Sequence, residues 1–350
     1  RAAVFYDGVK TGSVWNFLKA FKPIDNCLNR PVALLLAINF FSIFISRYPS
    51  VSLEGFLGKT LQSAFLYFNF IECMNSIKRI KIFLTVLFVS GSLICINGLY
   101  QYFAGQDFIY GQICDGRISS SLRHSNDFGA YLVVIIPVLL CSFLLTSHKQ
   151  RAGDVDGSLN SVLFCGMGMK GWIGILLLMA VSCLGLTYSR GAWVGFILSL
   201  CLLGIRKPKK LWLSWLLVAV FIFAFYPHMM KERNLRNDIK SFFDQSNRLG
   251  YWERSSRIIK DYPLWGTGLN TYALVEGAYH VGWGGYPHNS YLQMTAETGL
   301  TGISIFMWML IVLLKSSLRA VKAMKDQSLQ LLLLGCLAGL LGFLIHSFFD

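Results

Sequence analysis

Charge is scarce in this chain: Asp, Glu, Lys and Arg make up 14% of 350 residues, against 54% hydrophobic. With a mean hydropathy of +0.52, that balance excludes disordered and ordinary globular classes and leaves a polytopic membrane protein. The nine cysteines form no C-x-x-C pair and have no His at ligand spacing. Scattered through apolar runs, they read as packing residues rather than as a disulfide framework or a zinc site. No cleavable signal peptide is visible, because roughly thirty polar and amphipathic residues precede the first apolar run, with no small-residue cleavage site. No acidic cluster suits Mg²⁺, no nucleotide-binding or nucleic-acid motif appears, and no internal repeat supports a transporter built from inverted halves. The start at Arg1 and the stop at Asp350, directly after an apolar run, suggest a trimmed chain.

Apolar runs are abundant. A bilayer core needs ~20 apolar residues per helix. By that measure the spans fall at Pro31–Ser46, Gly55–Cys73, Ile80–Phe103, Phe128–Thr146, Gly171–Thr187, Ala192–Ile205, Leu211–Tyr226, Ser290–Leu314 and Leu329–Phe349. The expected fold is all-α: a polytopic transmembrane helix bundle of about nine spans, with a long, partly helical loop between two late spans. The expected organisation is an amphipathic segment 1–30, helices over 31–227, a catalytic loop over 228–288 and further helices over 289–350.

The net charge of +14 is mostly topology. Lys78, Arg79 and Lys81; Lys149, Arg151 and Lys170; Arg206, Lys207, Lys209 and Lys210; and Lys315, Arg319, Lys322 and Lys325 sit on connections that the positive-inside rule makes cytoplasmic. The opposite, outer side then gathers Gln106–Asn126, Tyr188–Gly191, the long loop and His346–Asp350. The basic residues of that loop, among them Arg233, Arg236 and Lys240, do not contradict this, since long translocated loops obey the rule poorly.

Candidate residues concentrate on that side. Arg190 stands in a turn so short that two spans must form a tight hairpin; an arginine snorkelling to the interface is the plain alternative. Arg248 opens a short helix ended by Pro263, and at helical spacing it shares a face with Trp252, Ser255 and Ile259. The other face carries Arg254, Arg257 and Asp261, with Glu253–Arg257 and Arg257–Asp261 as i,i+4 pairs, so Arg257 reads as structural. His288 precedes the eighth span at a helix N-terminus that welcomes anions, with Asn289, Tyr291 and Glu297 close in sequence. The G-x-G of Gly266–Gly268 follows no strand and is not a dinucleotide motif.

Several ordered motifs carry a resemblance. TYSRGAWVGF, then R-x-x-x-W followed by DYPLWGTGLNTY, then PHNSYLQMTAETGLTG, are similar to the membrane domain of the O-antigen ligase superfamily. That superfamily joins O-antigen ligases, O-antigen polymerases and protein O-oligosaccharyltransferases. The stretch Arg117–Leu132 resembles a further family segment at Arg117, Ser119, Asn126, Ala130, Tyr131 and Leu132, and departs from it at Ser120, Arg123, His124 and Ser125. The resemblance covers roughly Ile80 to Asp350 and implies further C-terminal helices. It implies a bacterial inner-membrane glycosyltransferase of lipopolysaccharide biosynthesis, working at the outer face on a polyprenyl diphosphate-linked glycan. The acceptor hydroxyl would lie on lipid A core, another glycan or a protein.

The leaving group is a diphosphate, which arginine forks bind bidentately. Arg190 and Arg248 are the expected diphosphate ligands, with Arg117 and Arg123 behind them. Asn126, Trp252, Asn289, Tyr291 and Glu297 complete the expected substrate contacts. His288 is the candidate base or phosphate ligand, with no cofactor or metal needed. A non-enzymatic transporter is the competing class. It would place polar or broken helices at the midplane, whereas Glu54, Lys59 and Glu72 all fall in or beside the second span.

Overall fold

A computed structural model describes residues 26–114, 116–145, 167–206, 208–232, 248–279 and 285–350. The amphipathic segment through residue 25, Lys149, Arg151, Lys207, and Arg233, Arg236 and Lys240 lie outside the described residues.

The elements are α1 (Asn29–Ile45), α2 (Pro49–Gly55), a π turn (Phe56–Leu61), α3 (Gln62–Cys73), α4 (Ile77–Ala104), α5 (Ser125–Leu145), α6 (Met167–Leu186) and α7 (Arg190–Arg206). There follow α8 (Pro208–Glu232), α9 (Arg248–Asp261), α10 (Tyr272–Glu276), α11 (Ser290–Ala323) and α12 (Gln327–His346). Each of the nine apolar runs is helical. Ile77–Ala104, Ser125–Leu145, Met169–Leu186, Ser290–Ala323 and Gln327–His346 are long and apolar enough to cross a membrane. Asn29–Ile45, Arg190–Gly204 and Trp212–His228 are shorter apolar helices. The molecule is a polytopic helical membrane bundle. Large apolar side chains point outward, with Phe223 87% and Phe103 83% exposed, as suits helices whose surrounding solvent is lipid.

The expected second span departs from a regular helix. Its backbone widens into the π turn at Phe56–Leu61, and Lys59 donates from there to Asn270 Oδ1 at 2.6 Å. The charge in this apolar run is thus accommodated by a partner from the late loop.

Capping fixes where the helices begin. Ser76 accepts from Arg79 N at the start of α4, Asn289 Oδ1 from Tyr291 N and Leu292 N at α11, and Asp326 from Ser328 N and Leu329 N at α12. The core is formed by α4, α5, α6, α7 and α12 around Phe88, Phe128, Leu132, Ile136, Leu139 and Phe196. Gly339 and Gly342 of α12 face α5 and α7, the small-residue packing that membrane helices favour.

α11 is broken at Gly299, whose φ of +70 is costly for a residue with a Cβ. The break frees backbone groups, and the loop between α9 and α10 takes them. Thr267 N donates to Ala296 O at 2.9 Å, Gly268 N to Glu297 O at 2.9 Å, and Leu300 N to Pro263 O at 2.8 Å. Glu297 seals the same junction, accepting from Asn270 N at 2.8 Å, Gln293 Nε2 at 3.1 Å and Tyr272 N at 3.3 Å.

Candidate functional site

Three separate connections meet at one end of the bundle. The loop between α4 and α5 is tied to the α6–α7 turn by Ile118 N donating to Leu186 O at 3.3 Å and Arg117 Nε to Thr187 O at 2.8 Å. Gln101 holds the same loop from below: its Oε1 accepts from Ser119 N and Ser120 N, each at 2.8 Å. α12 closes against the α6–α7 turn, where a Cβ on Gly191 would lie 2.9 Å from His346 Nδ1 and 2.7 Å from Phe349 Cβ. The start of α11 joins through Ser290 N to Ser347 O at 2.9 Å and Ser290 Oγ to Asp350 O at 2.9 Å.

A polar chain runs across this junction. Arg117 Nη2 donates to Asn126 Oδ1 at 2.8 Å, Asn126 Nδ2 donates to Asp350 Oδ1 at 2.6 Å, and Asp350 Oδ2 lies 3.6 Å from His346 Nε2. Above it opens a cavity of about 410 Å³ lined by Arg117, Arg123, His124, Asn126, Asp127, His288 and Asp350, with Gln112, Ile113, Ser119 and Ser125. It joins cationic groups, two imidazoles and two carboxylates.

His288 is placed there by backbone geometry. Its φ of +48 is in the left-handed region, and the next residue is the Asn289 cap, so the chain turns sharply before α11. Burial pushes its imidazole below the usual histidine value of 6.5, and the charge of Arg248 adds to that depression. His124 acts in the same direction, while Asp350 opposes it. That direction favours the uncharged imidazole, the form that accepts a proton.

The other expected residues divide by place. Arg117 and Arg123 share the cavity with His288, whereas neither Arg190 nor Arg248 is among its lining residues. Arg190, the first residue of α7, is 5% exposed. Arg248 begins α9 within electrostatic reach of His288. Trp252 Nε1 donates to Pro287 O at 3.0 Å, and the indole packs edge-on to Phe348 with centroids 5.4 Å apart, which braces the segment before His288. Asn289 is the buried helix cap. Tyr291 donates its hydroxyl to Leu344 O at 2.7 Å, joining α11 to α12. Glu297 faces a second, mostly apolar cavity of about 540 Å³ between α1, the π turn and α11.

On α9 the Glu253–Arg257 pair forms at 2.6 Å with both side chains exposed. Asp261 instead accepts from the Tyr279 hydroxyl. Arg254, expected on the face with Arg257, turns inward to pair with the fully buried Glu276. Asp350 and His124 were not singled out as site residues by sequence. The contact of Asp350 with Asn126 joins residues 224 positions apart and is visible only in three dimensions. Among the described residues no group of three His, Cys, Asp or Glu side chains gathers as a metal site.

Residues 174–307 match the family model for O-antigen ligase. Over that stretch the chain is similar to the O-antigen ligase superfamily. The match runs from α6 through the α6–α7 turn, α9 and His288 into α11, so Arg190, Arg248 and His288 lie within it, while Arg117, Arg123 and Asp350 lie outside. Members of this superfamily are membrane glycosyltransferase-like enzymes of the ligase and polymerase type. No curated protein matches the chain.

Proposed function

We propose that the chain transfers a glycan from a polyprenyl diphosphate carrier to an acceptor hydroxyl, at the outer face of a bacterial inner membrane, in the cavity that holds His288. The observation that carries this reading is His288 in one cavity with Arg117 and Arg123, with Arg248 nearby.

His288 takes the proton of the acceptor hydroxyl as its oxygen bonds to the anomeric carbon. The bond from that carbon to the phosphate oxygen breaks, and its electron pair leaves with the diphosphate. The growing negative charge is met by guanidinium groups, which bind phosphate oxygens in a fixed fork. Arg123, exposed on the rim, and Arg248 are the groups best placed to meet a lipid-borne diphosphate. Arg117 is held by Thr187 O and Asn126 and orders the wall. Arg190 is buried at the start of α7, outside the cavity lining.

The acceptor is lipid A core in the ligase reading favoured by the family match, with glycan and protein acceptors as the other outcomes of one assay. Full-length protein in proteoliposomes is given lipid-linked glycan and each acceptor in turn. Product on lipid A core that disappears in His288→Ala supports the reading. Unaltered transfer by His288→Ala sinks the proposed base.

A further inference from the structure

Glu276 has no role in the transfer step, yet it is fully buried and accepts on both carboxylate oxygens. Oε1 takes Arg254 Nε, and Oε2 takes the backbone N–H of Gly285 at 2.8 Å. Arg254 belongs to α9, six positions after Arg248, and its guanidinium also lies 4.4 Å from the ring centre of Tyr251. Gly285 begins the strap that reaches His288 three residues later. A second tie joins the same two elements two residues nearer to Arg248, where Trp252 Nε1 donates to Pro287 O at 3.0 Å. Tyr251 fills the angle between them, edge-on to the His288 ring at 6.3 Å.

We propose that Arg254 and Glu276, together with Trp252, are positioning residues that hold the His288 strap to α9 and so fix the spacing between Arg248 and His288. The proposal rests on the reading of His288 as the reacting base. Isolated buried ion pairs are poor sources of stability, because desolvation offsets attraction. This pair, however, is also directional. It fastens one backbone amide, and a strap fastened at residues 285 and 287 leaves the His288 ring little freedom relative to the start of α9. The groups facing His288 are Arg248 and Tyr251 from α9, His124 ahead of α5 and Asp350 after α12. Slackening the strap changes the first two contacts while leaving the other two elements in place.

The test reads His288 directly. Diethyl pyrocarbonate acylates neutral imidazole, so the pH midpoint of modification, read by mass spectrometry of the His288 peptide, reports its titration in the full-length protein. Arg254→Met/Glu276→Met replaces the ion pair with apolar bulk, a change that buried pairs often tolerate, and removes the acceptor for Gly285 N–H. Its His288 midpoint should rise by about 0.5–1 pH unit as the ring gains solvent and Arg248 recedes. Arg257→Ala, on the exposed face of α9, should stay close to wild type.

A wild-type midpoint in the double Met variant overturns the proposal. If that variant does not fold, Trp252→Phe, which loses only the indole N–H tie, is judged by the same criterion. The two ideas fail separately. A moved midpoint in a protein that transfers no glycan leaves the positioning intact and removes the function. An unmoved midpoint in an active enzyme does the reverse.

Discussion

Asn126 and Asp350, 224 positions apart, are joined by a hydrogen bond of 2.6 Å from the amide to the carboxylate. The bond closes a ring of contacts from the α4–α5 loop to the end of α12, and Arg117 leans on the same amide. Hydrogen bonds to charged groups contribute about 1.5–3 kcal/mol, so Asn126→Leu should lower stability by roughly that amount. Thermal unfolding of the purified protein measures it. An unchanged midpoint would mean that Asn126 does not hold this corner.

The pH dependence of turnover has a defined sign. With the folded pKa of His288 held below 6.5, the neutral base is lost as pH falls through that depressed value, so the acid limb of kcat/KM, which reports the free enzyme, should lie below pH 6.5. Removing the Asp350 charge by Asp350→Asn takes away an effect that favours the imidazolium, and should shift the limb to lower pH. Arg248→Met removes an opposing charge and should shift it to higher pH. Shifts of the opposite sign in the pH–rate profile would contradict the assigned electrostatics.

The arginines should separate by role. Arg248→Ala is expected to lose 10²–10³-fold in turnover, the usual cost of deleting one well-placed charged donor, while Arg257→Ala should stay within about twofold at equal expression. Arg190→Lys should also lose activity, here by disturbing the buried start of α7 rather than by losing a contact to the donor. Initial rates from lipid-linked donor rank the variants; equal losses at Arg248 and Arg257 would remove the face argument for α9.

Topology is testable at Tyr286, which is 55% exposed next to the cavity strap. Tyr286→Cys, in a background without the native cysteines, should react with a membrane-impermeant maleimide once only the outer membrane has been permeabilised. Labelling that required rupture of the inner membrane would put the cavity on the wrong side.

Transfer from purified donor should persist in EDTA, since the proposed leaving-group stabilisation rests on guanidinium groups. A strict requirement restored by Mg²⁺ or Mn²⁺ would show that the arginines are insufficient.

Helix positions and the polar end of the bundle were legible because apolar length and basic juxtamembrane residues are local signals. The Glu253–Arg257 pair was legible for the same reason, at i,i+4 spacing. What escaped depends on contacts between distant segments. Arg254 was assigned to the face of Arg257 because its partner, Glu276, lies 22 positions away across a loop. Lys59 looked like an intramembrane charge until Asn270 was found beside it, 211 positions on. Asn289, Tyr291 and Glu297 are close to His288 in sequence, but Glu297 faces the other cavity and Tyr291 bonds to α12. Their capping and bridging bonds reach the first turn of α11, α12 and the segment 270–272, partners that sequence proximity to His288 does not announce.

That break at Gly299 divides α11 into a part that answers to the bilayer and a part that answers to the loop. A helix longer than the hydrocarbon it crosses adapts by tilting, and an unbroken rod would carry the tilt straight to its tip. Here the segment from Ser290 to Thr298 is anchored to residues 263–272 by the bonds that the break releases. Lipid thickness should thus be absorbed below Gly299, and His288 should keep its surroundings in membranes of different depth. Turnover in nanodiscs of shorter and longer phosphatidylcholines should therefore vary little; a steep dependence on acyl length would show that the two parts move as one.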